Sequence, residues 1–251
     1  MKALKISILA LVILVLAALG ILMGVAMKAQ DRFVDEYLEE VRDIEANKTV
    51  LSYPEELLNR KTSLDARLQM AGDDSIGLRI SLKEKMIYLE IQGIVLHRSP
   101  IIRQSSSYFF RHLNAAEKHI LFHKPLRIQD EESTIPKDRF IVKMAPKDST
   151  EVEDVILPDT VHTVPVMYRF NLNHGIRVQV TGQLADTIPQ FWPRFKFDFE
   201  DRFRFIKALV QSIFNGTEVP YRPTIKVVIN SREAESIYRA IPRKSLVILE
   251  F

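Results

Sequence analysis

The chain has 251 residues, 47% hydrophobic and 27% charged, which supports one medium-sized core and argues against wholesale disorder. It contains no cysteine, so disulfide frameworks, thiolate metal sites and a cysteine nucleophile are all excluded. The formal charge of +3 comes entirely from Lys2, Lys5 and Lys28, the only charged side chains before Ala29; the balanced remainder offers no phosphate-neutralising face, which excludes nucleic acid as a partner.

From Ile6 to Met27 no side chain is charged, and at the helical rise this run spans about 33 Å, enough to cross a bilayer core. Lys2 and Lys5 precede it, so the positive-inside bias predicts a single-pass anchor in a bacterial inner membrane, with the C-terminal domain in the periplasm. The length favours a retained anchor over a cleaved signal peptide, for which Gly24-Val25-Ala26 is the small-residue cleavage candidate. Between Asp31 and Gly72 the pattern is helical. Phe33, Val34, Tyr37, Leu38, Val41 and Ile44 recur at three- and four-residue spacing. A second helix follows, with Ser52 as its cap, Pro54 in its first turn and Leu57, Leu58, Leu64 and Leu68 as its apolar stripe. These helices are expected to form a stalk or to dock on the domain.

After Gly72 the period changes to two. Ile76, Leu78, Ile80 and Leu82 read as a half-buried strand; Ile87, Leu89 and Ile91 give a second, and Gln92-Gly93 turns it into a third, Ile94 to Arg98. Further strands are expected over Arg139–Met144, Val164–Phe170, Ile176–Thr181, Ile225–Ile229 and Ser245–Leu249, with a helix over Arg232–Ala240. Ser105-Ser106-Ser107 reads as a loop. In Gln190–Phe214, Phe195, Phe197, Phe199, Phe203 and Phe205 share one parity, which on a strand lines one face with rings. From Phe203 the spacing fits a helix that caps the core. The alternative is an aromatic groove or membrane-interface contact, formed by Phe191, Trp192, Phe195, Phe197 and Phe199.

Other chemistry finds little support. His119 and His123 stand four apart, a spacing that suits a metal on one helix face, but no third ligand suggests itself. Asp198, Glu200 and Asp201 read as solvated surface, and no glycine-rich phosphate cradle occurs. No metal and no cofactor is expected.

The order of the β elements carries a resemblance. Ile80 to His97 is similar to the opening hairpin of L,D-transpeptidase (YkuD-type) catalytic domains, and Thr134-Ile-Pro-Lys-Asp-Arg-Phe-Ile-Val142 resembles their "TP-x-G-x-F" strand. Pro165-Val-Met-Tyr-Arg-Phe170 and Gly175-Ile-Arg-Val-Gln-Val-Thr-Gly182 are similar to "MPY-x-x-x-F … GI-x-x-HG". Asn230 to Ile248 resembles the closing helix and strand. Those domains join peptides of bacterial peptidoglycan. The resemblance, over residues 76–249, implies a mainly β (α+β) fold, an L,D-transpeptidase-like β-sandwich with a few helices. It also implies a site at the "SHGC-x-R" motif. Aligned on Ala234, that motif's histidine falls at Thr224, its nucleophilic cysteine at Lys226 and its arginine at Val228; the "HG" histidine falls at Thr181. Acyl transfer of this kind needs a thiolate and an imidazole to activate it. Neither is present, so the resemblance implies a scaffold without the chemistry.

The sequence therefore predicts three parts: a cytoplasmic tip and anchor over 1–28, a helical stalk or docking helices over 29–74, and the β-domain over 75–251. The expected role is non-catalytic: a peptidoglycan-binding or scaffolding component of the cell envelope. It would contact peptidoglycan peptide, envelope assembly proteins and the inner membrane through Ile6–Met27, with self-association through the Asp31–Ile44 helix open. Two alternatives are an envelope enzyme using a desolvated Lys226 and a single-pass subunit of an export or pilus-like machine.

Overall fold

The computed structural model describes residues 54–137, 166–184, 191–215 and 221–251, together with Gly20, Gly24, Met27, Lys28, Asp31, Arg32 and Asp35. The strand expected over Arg139–Met144, the helix positions Phe33, Val34, Tyr37, Leu38, Val41 and Ile44, and the cap Ser52 lie outside these residues. What is described is a mixed α/β domain built on one large sheet.

Helix α1 (Glu55–Ala71) begins directly after Pro54, which stands at the cap position instead of inside the first turn. The meander follows as β1 (Gly77–Ser81), β2 (Met86–Ile91) and β3 (Ile94–Pro100), all antiparallel neighbours. Gln92 and Gly93 both take positive φ, as a two-residue hairpin turn requires. Then come β4 (Arg103–Ser106), α2 (Tyr108–His112), α3 (Ala115–Phe122) and β5 (Leu126–Ser133). The chain continues through β6 (Met167–Leu172), β7 (Arg177–Gln183), α4 (Phe191–Asn215), β8 (Thr224–Asn230), α5 (Ser231–Ala240) and β9 (Leu246–Glu250).

The strand order is β3-β2-β1-β9-β5-β6-β7-β8-β4, with parallel pairs β1–β9 and β7–β8. Strand β5 joins two halves. Its first residues pair with β9 and the remainder with β6, with a bulge between Ile128 and Asp130. At the far ends only Ile101 and Ile102 separate β3 from β4, and Ile102 N–H donates to the Val228 carbonyl at 2.8 Å. The two edges of the sheet are thereby drawn together around one core. That core takes Leu78, Ile80, Phe170, Val178, Val180, Ile225, Val227 and Val247 from the strands and Ala234, Ile237 and Tyr238 from α5. Helix α5 starts at Asn230, whose Oδ1 accepts from Arg232 N–H at 3.0 Å.

Three local expectations need correction. Strand β1 is buried on both faces, not one, because α1 lies across its outer side. Gly77 lies so close beneath Met70 that a Cβ there would collide with the Met70 side chain. The stripe α1 buries is Leu58, Thr62, Ala66 and Met70, at four-residue spacing, while Leu57, Leu64 and Leu68 are exposed. Ser105 and Ser106 form part of β4, since its partner β8 supplies the ladder that a run of serines does not advertise.

The single-pass inner-membrane placement is also overturned. Among the described residues no helix is long and apolar enough to cross a membrane. Helix α4 has the length, 25 residues, but carries lysine, arginine, aspartate and glutamate along it. Of Ile6–Met27, only Gly20, Gly24 and Met27 are described, each helical and exposed; the rest lies outside the described residues.

Candidate functional site

Alternation along β6, β7 and β8 sends one set of side chains inward and the other to the outer face of this half of the sheet. The inward set is apolar: Tyr168, Phe170, Val178, Val180, Ile225 and Val227. The outward set is polar. It includes Arg169 on β6, Arg177, Gln179 and Thr181 on β7, and Thr224 and Lys226 on β8.

All four positions singled out by the resemblance meet on this face. Thr181 stands opposite Val228, Lys226 opposite Gln179, and Thr224 opposite Arg177. Thr181 is buried, Thr224 and Val228 are half-buried, and Lys226 is exposed. The Lys226 side chain makes no hydrogen bond or ion pair among the described residues, and water reaches it. The glycine after Thr181 has a structural reason. A Cβ on Gly182 would lie 2.8 Å from the Ser231 Cα and 3.0 Å from the Val166 carbonyl oxygen, so β7 approaches the start of α5 too closely for any side chain.

Two further groups, missed in the sequence, organise the face. The Arg169 side chain is 1% exposed, and its guanidinium lies 3.8 Å from the centre of the Phe197 ring. One of its nitrogens donates to the Phe197 carbonyl at 2.9 Å, and another lies 3.5 Å from Glu132 on β5. Glu132 in turn accepts both branches of a bidentate fork from Arg204, at 2.8 and 2.9 Å. Those hydrogen bonds hold the Glu132 carboxyl below its ordinary pKa, despite the opposing effect of partial burial. Beside this cluster, Arg177 Nε donates to Asn171 Oδ1 at 3.0 Å. The sequence did contain a signal: Arg169 sits between two core rings, so strand alternation alone puts it on the outer face.

The aromatic segment is a helix, not a strand. At 100° per residue the shared parity breaks up, and rings four apart align instead. Phe195, Phe199 and Phe203 stack at 5.5 and 6.1 Å along an exposed stripe that Ile206 and Val210 extend. Phe197 falls on the opposite side and meets Arg169. Phe191 and Trp192 open the helix, but their side chains are outside the described set.

No group of histidine, aspartate and glutamate suited to a metal occurs among the described residues. His119 Nδ1 lies 2.9 Å from the Thr62 hydroxyl, and His123 Nδ1 bonds the last carbonyls of α3, so both imidazoles serve the packing of α1 and α3. A separate cleft of about 330 Å³ opens between α1, α3 and the ends of β1 and β9. Its walls include Arg60, Lys83, Lys118 and Phe122, and none of Thr181, Thr224, Lys226 and Val228. The outer face of β6–β8 can therefore hold carboxylates and amides; the chain has no cysteine to supply a thiolate, and among the described residues no imidazole lies in the outward set. No family model, curated protein or solved structure matches this chain.

Proposed function

We propose that this domain is a non-catalytic, L,D-transpeptidase-like β-sandwich that binds peptidoglycan peptide as a scaffolding component of the bacterial cell envelope. The single observation that carries the reading is register. Thr181 and the stretch from Thr224 to Val228 are more than forty residues apart in sequence, yet they share one face on adjacent parallel strands. That is where a nucleophile and its base would have to meet, and the chain has a hydroxyl and an ammonium there. Arginine, glutamine and threonine side chains on that face suit peptide carboxylates and amides. The alternative of an active Lys226 needs a desolvated amine, whereas this side chain is exposed.

Isolated sacculi and soluble muropeptides test the proposal together. The purified chain should be retained by sacculi above a control protein, and muropeptides incubated with it should emerge with unchanged masses. Loss of retention rules out the peptidoglycan partner. A cross-linked product that disappears in Lys226→Ala replaces the scaffold with an enzyme.

A further inference from the structure

Reading across the strands, Glu132, Arg169, Gln179, Lys226 and Ser105 stand directly opposite one another on β5, β6, β7, β8 and β4. They form one polar row across five adjacent strands. At about 4.8 Å per strand, the Arg169 and Lys226 backbones are roughly 10 Å apart, with Gln179 between them. The two cations have different surroundings. Lys226 is open to water, whereas Arg169 is sealed beneath α4.

What seals Arg169 is chemically informative. Helix α4 presents it with a carbonyl oxygen and the flat face of Phe197, the kinds of group that a peptide ligand presents. A surface made only to be packed under a helix is served as well or better by apolar side chains, because a buried guanidinium must give up its hydration. The same helix leaves Phe195, Phe199 and Phe203 exposed on its far side. Its contacts among the described residues include the Phe197 contact and the Arg204 fork, and the Arg204 side chain is 58% exposed. The arginine end of that fork is open to water and salt, which screen it.

Building on the peptide-binding reading above, we propose that Arg169 and Lys226 form a two-point site for a peptide bearing two carboxylates. The Phe197 segment of α4 holds the Arg169 end until such a peptide displaces it. Lys226 captures the first carboxylate in the open form. Arg169 takes the second with the edge of its fork that Phe197 now occupies, while Glu132 keeps its place 3.5 Å away. Gln179 lies between them, where an amide of the peptide backbone would run.

The test uses the full chain and the tripeptide L-Ala-γ-D-Glu-diaminopimelate, alongside the same tripeptide with its carboxylates amidated. Calorimetric titration should give binding of the acid form that falls about tenfold or more on amidation and in Lys226→Gln, the scale of a lost charged hydrogen bond. Hydrogen exchange of the α4 amides should speed up when the acid form saturates the protein. If the acid form binds but neither amidation nor Lys226→Gln weakens it, the two-point site is wrong and the broader peptide reading survives. If it binds with α4 protection unchanged, α4 is not displaced. No binding of the acid form at millimolar concentration overturns both readings.

Discussion

Helices α1 and α4 each lie across an outer face of the same sheet, but the two contacts are built differently. Under α1, Ala66 and Met70 pack against Leu246 and Ile248 in an apolar cluster, and Gly77 lets the helix come close. The charges on that side are gathered and closed. Arg79, with a side chain only 7% exposed, donates to Glu90 at 2.7 Å and to Glu250 at 3.0 Å. Burial works against its charged form, but these carboxylates prevail and hold its pKa above the ordinary value. Under α4 the sheet offers Arg169 and Glu132 instead, with Gln179 and Lys226 farther along the same row, and the helix's contacts among the described residues include the Phe197 ring and carbonyl and the exposed Arg204. The first face is a core boundary. The second is a surface with a cover on it.

If this distinction is right, the two sides respond differently to substitution. The largest expected effect is at Arg79. Arg79→Ala leaves Glu90, whose side chain is fully buried, without its main partner, and such a loss costs about 3–5 kcal/mol. Urea unfolding should show it as a lower midpoint; a change below about 1 kcal/mol would mean that this ion network is solvated and the core-boundary description is wrong. Next comes a matched pair of truncations beneath the two helices. Met70→Ala removes a side chain 3% exposed and should cost about 2–3 kcal/mol. Phe197→Ala gives up a ring over a guanidinium and should cost about 1 kcal/mol. Equal costs at the two positions would erase the contrast.

Much of this arrangement was legible in the sequence, and the misses have physical causes. The meander, the Gln92-Gly93 turn and helix α5 declare themselves through period and local chemistry. That Thr181 and Lys226 share a face has no local signature, since the pairing of β7 with β8 is non-local. Of the expected α1 stripe only Leu58 is buried: Leu57, Leu64 and Leu68 are more hydrophobic than the Thr62 and Ala66 that the helix does bury, but the close approach to the sheet there favours small side chains. In α4, alternating aromatics imitate a strand until the four-residue spacing of Phe195, Phe199 and Phe203 is counted. The partnership of Arg169 with α4 has no local signature, because it depends on where a helix far along the chain comes to rest.

The smallest expected effect is the most diagnostic for α4. Arg204 is well exposed, so Arg204→Ala should shift global stability by less than about 1 kcal/mol, within the range of surface ion pairs. Its consequence is local: exchange of the α4 amides should quicken while α1 stays protected. Acid should act in the same direction through the other partner. Glu132 has its folded pKa lowered, chiefly by the Arg204 hydrogen bonds, so its contribution is complete above the unfolded carboxyl value near 4.5 and is lost as pH falls through the lower folded value. Protection of α4 should therefore fade across that acidic window in the parent chain. In Arg204→Ala the Glu132 pKa moves back toward its ordinary value, and most of that pH dependence should vanish. A variant in which α4 keeps the parent's full acid response would show that Glu132 is held by something other than the helix. Arg204 would then be an ornament on α4, not one of the contacts that fasten it.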